Sequence, residues 1–264
     1  MYYSHDARDS NGPCSFTDGK PVVWSSPPRV LDLCEREVHV WRASLECPPE
    51  LARQLELTLS DDEIIRAAGL HFVRDRKSFI AARGILRELA GAYLKKPPSE
   101  LRFQYQPEGK PSISPKHLDW PIRFNLSHTR ETALYAFACG REVGIDVEGI
   151  RADIAGEPIA ERFFSAAEVT ELRVLPAELQ AEGFFNCWTR KEAYVKARGQ
   201  GLQIPLDSFD VALRPGAPAQ FVQGVDSRWN LFAFSPGPDY VAALVFDGSR
   251  CEVRFFNFER QTSR

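Results

Sequence analysis

Two stretches of the same pattern decide the fold, SDDE at residues 60–63 and SAAE at residues 165–168. In each stretch a serine and a glutamate three residues apart can satisfy the free backbone amides at the start of a helix. The first predicts a short helix over 61–68, followed by a long one over 73–94. The second precedes a short helix and then a long one over about 183–197. This repeated order predicts a diverged internal duplication.

Apolar runs and alternation around these helices predict strands in both parts of the chain. The expected strands cover 38–45, 101–105, 122–126, 133–139, 143–148, 209–213, 229–234, 240–246 and 252–258. We therefore predict an α+β fold of two similar, pseudo-symmetric halves. Each half is a small, mostly antiparallel sheet packed with a long helix, and the active site lies in the cleft between them. The expected division is a disordered leader over 1–20, an N-terminal half over 21–140 and a C-terminal half over 141–264.

Composition narrows the class of protein. The 264 residues carry a formal net charge of −3, which gives no global basic field for nucleic acid. No apolar run approaches the length of about 18 residues that a membrane span needs. The six cysteines form no C-x-x-C pair, a pattern typical of free thiols in a reducing compartment. We expect a cytoplasmic protein with neither nucleic acid nor membrane as partner.

The most informative chemical signal is GIDVE at residues 144–148. On a strand Asp146 and Glu148 project from one face, and adjacent carboxylates repel unless a cation or a proton intervenes. Glu192 and Lys196 share one face of the second long helix, because they are four residues apart. Taken alone, the first pair also fits a solvated strand face, and the second fits an ordinary surface ion pair.

Three weaker signals are side chains suited to binding phosphate, and the first two of them lie at a strand end and on a turn. Ser127 and His128 stand where a strand ends and could donate to phosphate oxygens, although a satisfied turn explains them equally well. Lys110 stands on a tight turn between glycine and proline.

A basic stripe runs along the first long helix. Arg76, Arg83 and Arg87 point within about 20° of one direction, since seven and eleven residues nearly complete whole turns. Arginine forks suit phosphates, and a solvated helix face is the alternative.

Taken in order, these pieces resemble the 4′-phosphopantetheinyl transferases of the Sfp type. The resemblance spans about Leu59 to Val211 and is strong because several weak motifs occur in one order. The matching stretches are GKP at 109–111, FNLSH at 124–128, GIDVE at 144–148, RFFS at 162–165 with Glu168, and 188–202.

The resemblance implies a set of site residues. The Mg²⁺ site matches Asp146, Glu148 and Glu192, and the active-site lysine matches Lys196. Glu192 is also the first candidate for the general base. The coenzyme A contacts match five positions, which are Arg76, Arg83, Lys110, Ser127 and His128.

The resemblance also implies the reaction. Such enzymes transfer the phosphopantetheine arm of coenzyme A to a serine of an apo acyl or peptidyl carrier protein and release 3′,5′-ADP. The length fits the two-half form acting as a monomer.

Two other functions compete with this interpretation. A different Mg²⁺-dependent nucleotide phosphotransferase lacks support, because no G-x-x-x-x-G-K-[ST] loop occurs. A non-catalytic protein that binds coenzyme A or a carrier protein is the other alternative. The presence of all four residues Asp146, Glu148, Glu192 and Lys196 favours catalysis.

Overall fold

The computed structural model describes residues 19–105, 111–113, 121–151 and 157–259. The elements of the first half are β1 (Glu37–Ser44), α1 (Pro49–Glu56), α2 (Asp61–Ala68), α3 (Val73–Leu94), β2 (Phe103–Tyr105), β3 (Pro111–Ile113), β4 (Ile122–Thr129) and β5 (Thr132–Cys139). Those of the second are β6 (Val143–Gly149), α4 (Glu157–Phe163), α5 (Ala166–Val174), α6 (Ala177–Arg198), β7 (Asp210–Val211), β8 (Phe221–Gln223), β9 (Trp229–Phe234) and β10 (Tyr240–Asp247), followed by β11 (Glu252–Asn257).

The two halves repeat one order of elements, a strand, three helices and four strands. β1, β5 and β4 are neighbours in one sheet, and β6, β10 and β9 are neighbours in the same way in the other. All these pairings are antiparallel. The predicted α+β fold of two pseudo-symmetric halves is confirmed.

The ends of the chain complicate the predicted division into halves. β11, which that division assigns to the second half, pairs in parallel with β1 of the first sheet. The boundary near Gly140 therefore stays a prediction, and residues 1–18 of the predicted leader over 1–20 lie outside the described residues.

Both capping boxes are present, and each anchors the long helix of its own half. Glu63 lies 2.6 Å from Arg87 of α3, and Glu168 lies 2.8 Å from Lys191 of α6. Each cation is the fifteenth residue of a 22-residue helix. Arg87, expected on the basic stripe, is instead fully buried, and it also donates to the Ser60 hydroxyl. The duplication thus extends to two equivalent buried ion pairs.

Proline explains two differences from the predicted helix bounds. α6 begins at Ala177, ahead of the prediction, because Pro176 stands at its N-cap and fixes a φ compatible with helix entry. α1 is not among the predicted helices, because Pro48 and Pro49 also fit the end of the preceding strand. Proline is equally suited to the first turn of a helix.

The two sheets pack face to face, and one long helix covers the outer face of each. The layer between the sheets contains Val38 and Val40 of β1 together with Val143, Ile145 and Val147 of β6. Phe184 and Phe185 of α6 are buried in the core between this helix and the second sheet. None of the helices in the described ranges has the length and apolar composition that a membrane span needs.

The duplication creates two equivalent seams between the sheets. At the first seam, the β4 edge of one sheet lies directly beside β6 of the other, and side chains bond across it. At the second, residues 19–25 and β11 separate β9 from β1. The Ser235 amide donates to the Lys20 carbonyl at 3.0 Å, and the Ser25 amide donates to the Phe255 carbonyl at 3.0 Å. In the described part of the chain no further segment separates β4 from β6, and we call this first seam the open seam.

Candidate active site

Strand β6 and helix α6 approach each other closely at Gly144. A Cβ on this residue would lie 2.1 Å from the Ala193 carbonyl oxygen and 2.3 Å from the Ala197 amide nitrogen. Asp146 follows two residues later on the same face of β6. The glycine therefore lets the helix bring Glu192 and Lys196 up to the carboxylates of the strand.

Asp146 is the centre of the resulting cluster. Its Oδ1 atom lies 2.6 Å from the Lys196 ammonium and accepts a hydrogen bond of 2.7 Å from the Ser127 hydroxyl. Lys196 also donates to the Ser127 hydroxyl at 3.1 Å. The other oxygen, Oδ2, is buried and has no hydrogen-bond donor among the described residues. Three elements, β4, β6 and α6, thus meet at one carboxylate.

Two further carboxylates border Asp146. Burial raises the pKa of Glu148, and the Asp146 charge raises it further, whereas a hydrogen bond of 3.1 Å from the Thr129 hydroxyl opposes this rise. Burial also raises the pKa of Glu192, to which Asp146 adds, while Lys196 acts in the opposite direction. These shifts show that negative charge is crowded here, which favours binding of a cation.

The donor set fits Mg²⁺ when the substrate completes it. Within the described ranges, no three carboxylate, imidazole or thiol side chains form a ready-made metal cluster. Mg²⁺, however, is usually held by one or two carboxylates together with substrate phosphates and water. The buried, unpaired Oδ2 of Asp146 is an oxygen ligand of that kind, and Glu148 and Glu192 are the other candidates.

A cavity of about 410 Å³ opens beside the carboxylates at the start of α3. Its lining includes His128 and Thr129 of β4, Arg130 of the following turn, and Arg74 and Ser78 of α3. Partial desolvation lowers the pKa of His128, although the side chain is exposed at the cavity, and the nearby Lys196 lowers the pKa further. The cavity combines hydrogen-bond donors and two guanidinium groups with the single carboxylate of Asp75, and this excess of positive charge suits an anion.

Comparison with known proteins decides the family. The family model described as the 4′-phosphopantetheinyl transferase superfamily matches residues 142–245, and the model of the N-terminal part of such transferases matches 46–139. The 4′-phosphopantetheinyl transferase HetI of Nostoc sp. is 37% identical over 236 residues, which are 89% of this chain and 98% of that protein. The chain belongs to the 4′-phosphopantetheinyl transferases. The predicted family and enzyme class are confirmed.

Other matches to this transferase cover shorter segments. The 4′-phosphopantetheinyl transferase Sfp of Bacillus subtilis is 40% identical over 116 residues, 44% of this chain and 49% of Sfp. Among solved structures, a holo-(acyl-carrier-protein) synthase from Bacillus anthracis in complex with CoA (3′,5′-ADP) matches with a TM-score of 0.36 and 20% identity. That match covers 41% of this chain and 96% of the synthase.

The two arginines predicted to bind coenzyme A lie outside the cavity that contains His128. The Arg83 guanidinium is buried, donates to the Tyr105 hydroxyl at 2.6 Å and lies 3.8 Å from Glu63. Arg76 is exposed and donates to the Leu70 carbonyl at 3.4 Å. Neither lines the cavity. Their assignment to the transferase's substrate stays a prediction, and Lys110 lies outside the described residues.

Arg74 and Arg130 are the cavity residues that the sequence did not reveal. Arg74 is rotated by about 200° from Arg76 around the helix, so it does not belong to the predicted basic stripe. Arg130 adopts a positive φ of 51° in the turn between β4 and β5. Only its position two residues after the FNLSH motif could have drawn attention to it.

A second cavity lies farther from this chemistry. It has a volume of about 660 Å³ and lies between α1 and α3, where it shares Arg74 and Ser78 with the His128 cavity. Asp146, Glu148 and Glu192 do not line it. They do not line the His128 cavity either, but Thr129, which lines that cavity, donates a hydrogen bond of 3.1 Å to Glu148.

A first prediction concerns the close approach at Gly144. We expect Gly144→Ala to lower the free energy of unfolding by about 1–3 kcal/mol, because the added methyl group meets backbone atoms that cannot rotate away. Transfer activity should also fall as α6 shifts. Equilibrium urea denaturation of the variant measures the loss. Gly237→Ala is the matched control, since a Cβ there meets nothing within 4 Å. Equal stability of the two variants would contradict the prediction.

Proposed function

We propose that this transferase moves the phosphopantetheine arm of coenzyme A to a serine hydroxyl of an apo acyl or peptidyl carrier protein. The reaction uses Mg²⁺ and releases 3′,5′-ADP, and the enzyme acts as a monomer in the cytoplasm. One observation carries the proposal, namely that Asp146, Glu148, Glu192 and Lys196 converge next to the cavity that contains His128. Membership of the family supports it.

The carboxylates and the lysine have complementary roles in this proposal. Asp146, Glu148 and Glu192 hold Mg²⁺, which when bound neutralises charge on the diphosphate and on the leaving group. Lys196 is the cation closest to Asp146 and is only partly buried, so its ammonium can interact with the substrate. It stabilises the negative charge on the transferring phosphoryl group or on the leaving 3′,5′-ADP.

Glu192 is the candidate base for the serine of the carrier protein. It is half-buried, and its raised pKa makes the ionised carboxylate a stronger proton acceptor than an exposed glutamate. The serine proton would pass to this carboxylate as the hydroxyl oxygen attacks the β-phosphorus. A Glu192→Gln enzyme with wild-type turnover would remove the residue from this role.

The decisive experiment is incubation of the enzyme with an apo carrier protein, coenzyme A and Mg²⁺. We expect the mass of the carrier to rise by one phosphopantetheine arm and 3′,5′-ADP to appear in equal amount. A chelator should abolish both changes. Binding of the carrier without a mass change would contradict transfer, and transfer that survives chelation would contradict the role of the metal.

A second prediction concerns the pH dependence of coenzyme A binding. The pKa of His128 lies below its usual range in the free enzyme, and a phosphate bound beside the imidazole should raise it. Between these two pKa values binding takes up a proton, so affinity should rise as the pH falls. Titration calorimetry in buffers of different ionisation enthalpy measures the proton uptake. The uptake should disappear in His128→Asn, and proton release in the wild type would contradict the assignment.

A further inference from the structure

A row of polar side chains on β4 faces β6 across the open seam. Asn125, Ser127 and Thr129 alternate along the strand, so all three project from one face. The Asn125 side-chain oxygen accepts a hydrogen bond of 2.8 Å from the Ile145 amide and fixes how the two strands are aligned. The row belongs to the first half, whereas the strand that it contacts belongs to the second.

The two hydroxyls of this row each meet one carboxylate of β6. Ser127 donates to Asp146 at 2.7 Å, and Thr129 donates to Glu148 at 3.1 Å. The match arises because both pairs are two residues apart, which is the repeat of side chains on one face of a strand. The two β6 carboxylates of the proposed metal site are therefore each held by a hydroxyl from the opposite half.

The hydrogen bonds of Ser127 limit what else this residue can do. A hydroxyl has a single proton to donate, and that of Ser127 points at Asp146. Its oxygen also accepts a hydrogen bond of 3.1 Å from Lys196. The buried Ser127 hydroxyl therefore has no proton left to donate to a phosphate oxygen. The family resemblance, by contrast, implies a contact between Ser127 and coenzyme A.

We propose that Ser127 and Thr129 are positioning residues, which orient Asp146 and Glu148 towards the metal ion and do not bind coenzyme A through their hydroxyls. The inference rests on the proposed function, because it concerns the Mg²⁺ of that reaction. With Oδ1 of Asp146 taken by Ser127 and Lys196, the unpaired Oδ2 is the atom that remains for the cation. Partners that fix the orientation of a metal ligand in this way commonly strengthen metal binding.

The test separates metal binding from coenzyme A binding. Mn²⁺ affinity is measured by electron paramagnetic resonance at saturating coenzyme A, and coenzyme A affinity is measured by calorimetry in EDTA. We expect Ser127→Ala and Thr129→Val each to weaken Mn²⁺ binding about 10-fold or more. Coenzyme A affinity in EDTA should stay within about 3-fold of wild type, well below the tenfold that a lost contact of about 1.4 kcal/mol would cause. Thr129→Ser keeps the hydroxyl and should retain Mn²⁺ affinity.

Three outcomes would overturn the inference. If Ser127→Ala binds Mn²⁺ like the wild type but loses coenzyme A affinity in EDTA, Ser127 contacts the substrate directly. If Thr129→Ser weakens Mn²⁺ binding as much as Thr129→Val, the hydroxyl is not what positions Glu148. If the wild type itself binds no Mn²⁺ with coenzyme A present, the metal part of the proposed function fails as well. Melting temperatures of all the variants show that the loss is not one of folding.

Discussion

Asp146→Asn is expected to lower kcat/KM for transfer to an apo carrier protein by about 10³-fold, the scale on which a lost charge-stabilising group acts. The amide has nearly the same shape as the carboxylate but carries no charge. It therefore neither balances Lys196, 2.6 Å away, nor serves as a strong ligand for Mg²⁺. Steady-state kinetics with coenzyme A and Mg²⁺ at saturation measures the effect.

Two comparisons establish that the loss is chemical. Glu252→Gln removes a carboxylate on β11, at the opposite edge of the first sheet from β4, and should leave kcat/KM unchanged. The melting temperature of Asp146→Asn should be close to that of the wild type, since asparagine fills the same space as aspartate. Activity of Asp146→Asn within about 10-fold of wild type, a loss of only about 1.4 kcal/mol, would remove Asp146 from the reaction.

The second large effect is on stability. Lys191→Met is expected to lower the free energy of unfolding by about 3–5 kcal/mol, the usual result of removing one partner of a buried ion pair. The Lys191 ammonium is fully buried, lies 2.8 Å from Glu168 and donates to the Leu206 carbonyl at 2.6 Å and to the Phe209 carbonyl. Methionine fills the space but leaves the buried Glu168 charge without its cation and removes the donor to both carbonyls. Equilibrium denaturation by urea measures the difference.

The duplication supplies a matched variant for this prediction. Arg87→Met removes the equivalent cation of the first half and should cost a similar amount, because Arg87 is fully buried against Glu63. Arg173→Met breaks an exposed ion pair with Glu161 and should cost less than about 1 kcal/mol. If Lys191→Met were no more destabilising than Arg173→Met, the buried pairs would not hold the long helices in place.

The features predicted well from the sequence are those with local signals. The bounds of α2 and α3 follow from a capping box and from regular apolar spacing, which act within a few turns of the chain. The parallel pairing of β11 with β1 brings together residues about 200 positions apart, and no local pattern encodes it. The burial of Arg87 was also missed, because a helical wheel gives the direction of a side chain and not what packs against it.

The candidate site divides in the same way. Spacing alone placed Asp146 with Glu148 on a strand, and Glu192 with Lys196 on a helix. That the two pairs meet came from the family resemblance, since their contact depends on how α6 crosses β6. One signal for this crossing was present in the motif itself, the absence of a side chain at Gly144.

The second seam has a practical consequence for labelling the molecule. Residues 19–25 and β11 are the described runs closest to the two termini, and both lie along this filled seam. Asp146 and His128 lie along the other one. A dye or an affinity handle attached before residue 19 or after β11 would therefore leave the described fold along the filled seam, away from Asp146 and His128. Attachment at Lys20 or along β11 should therefore leave the seam that contains Asp146 and His128 uncovered.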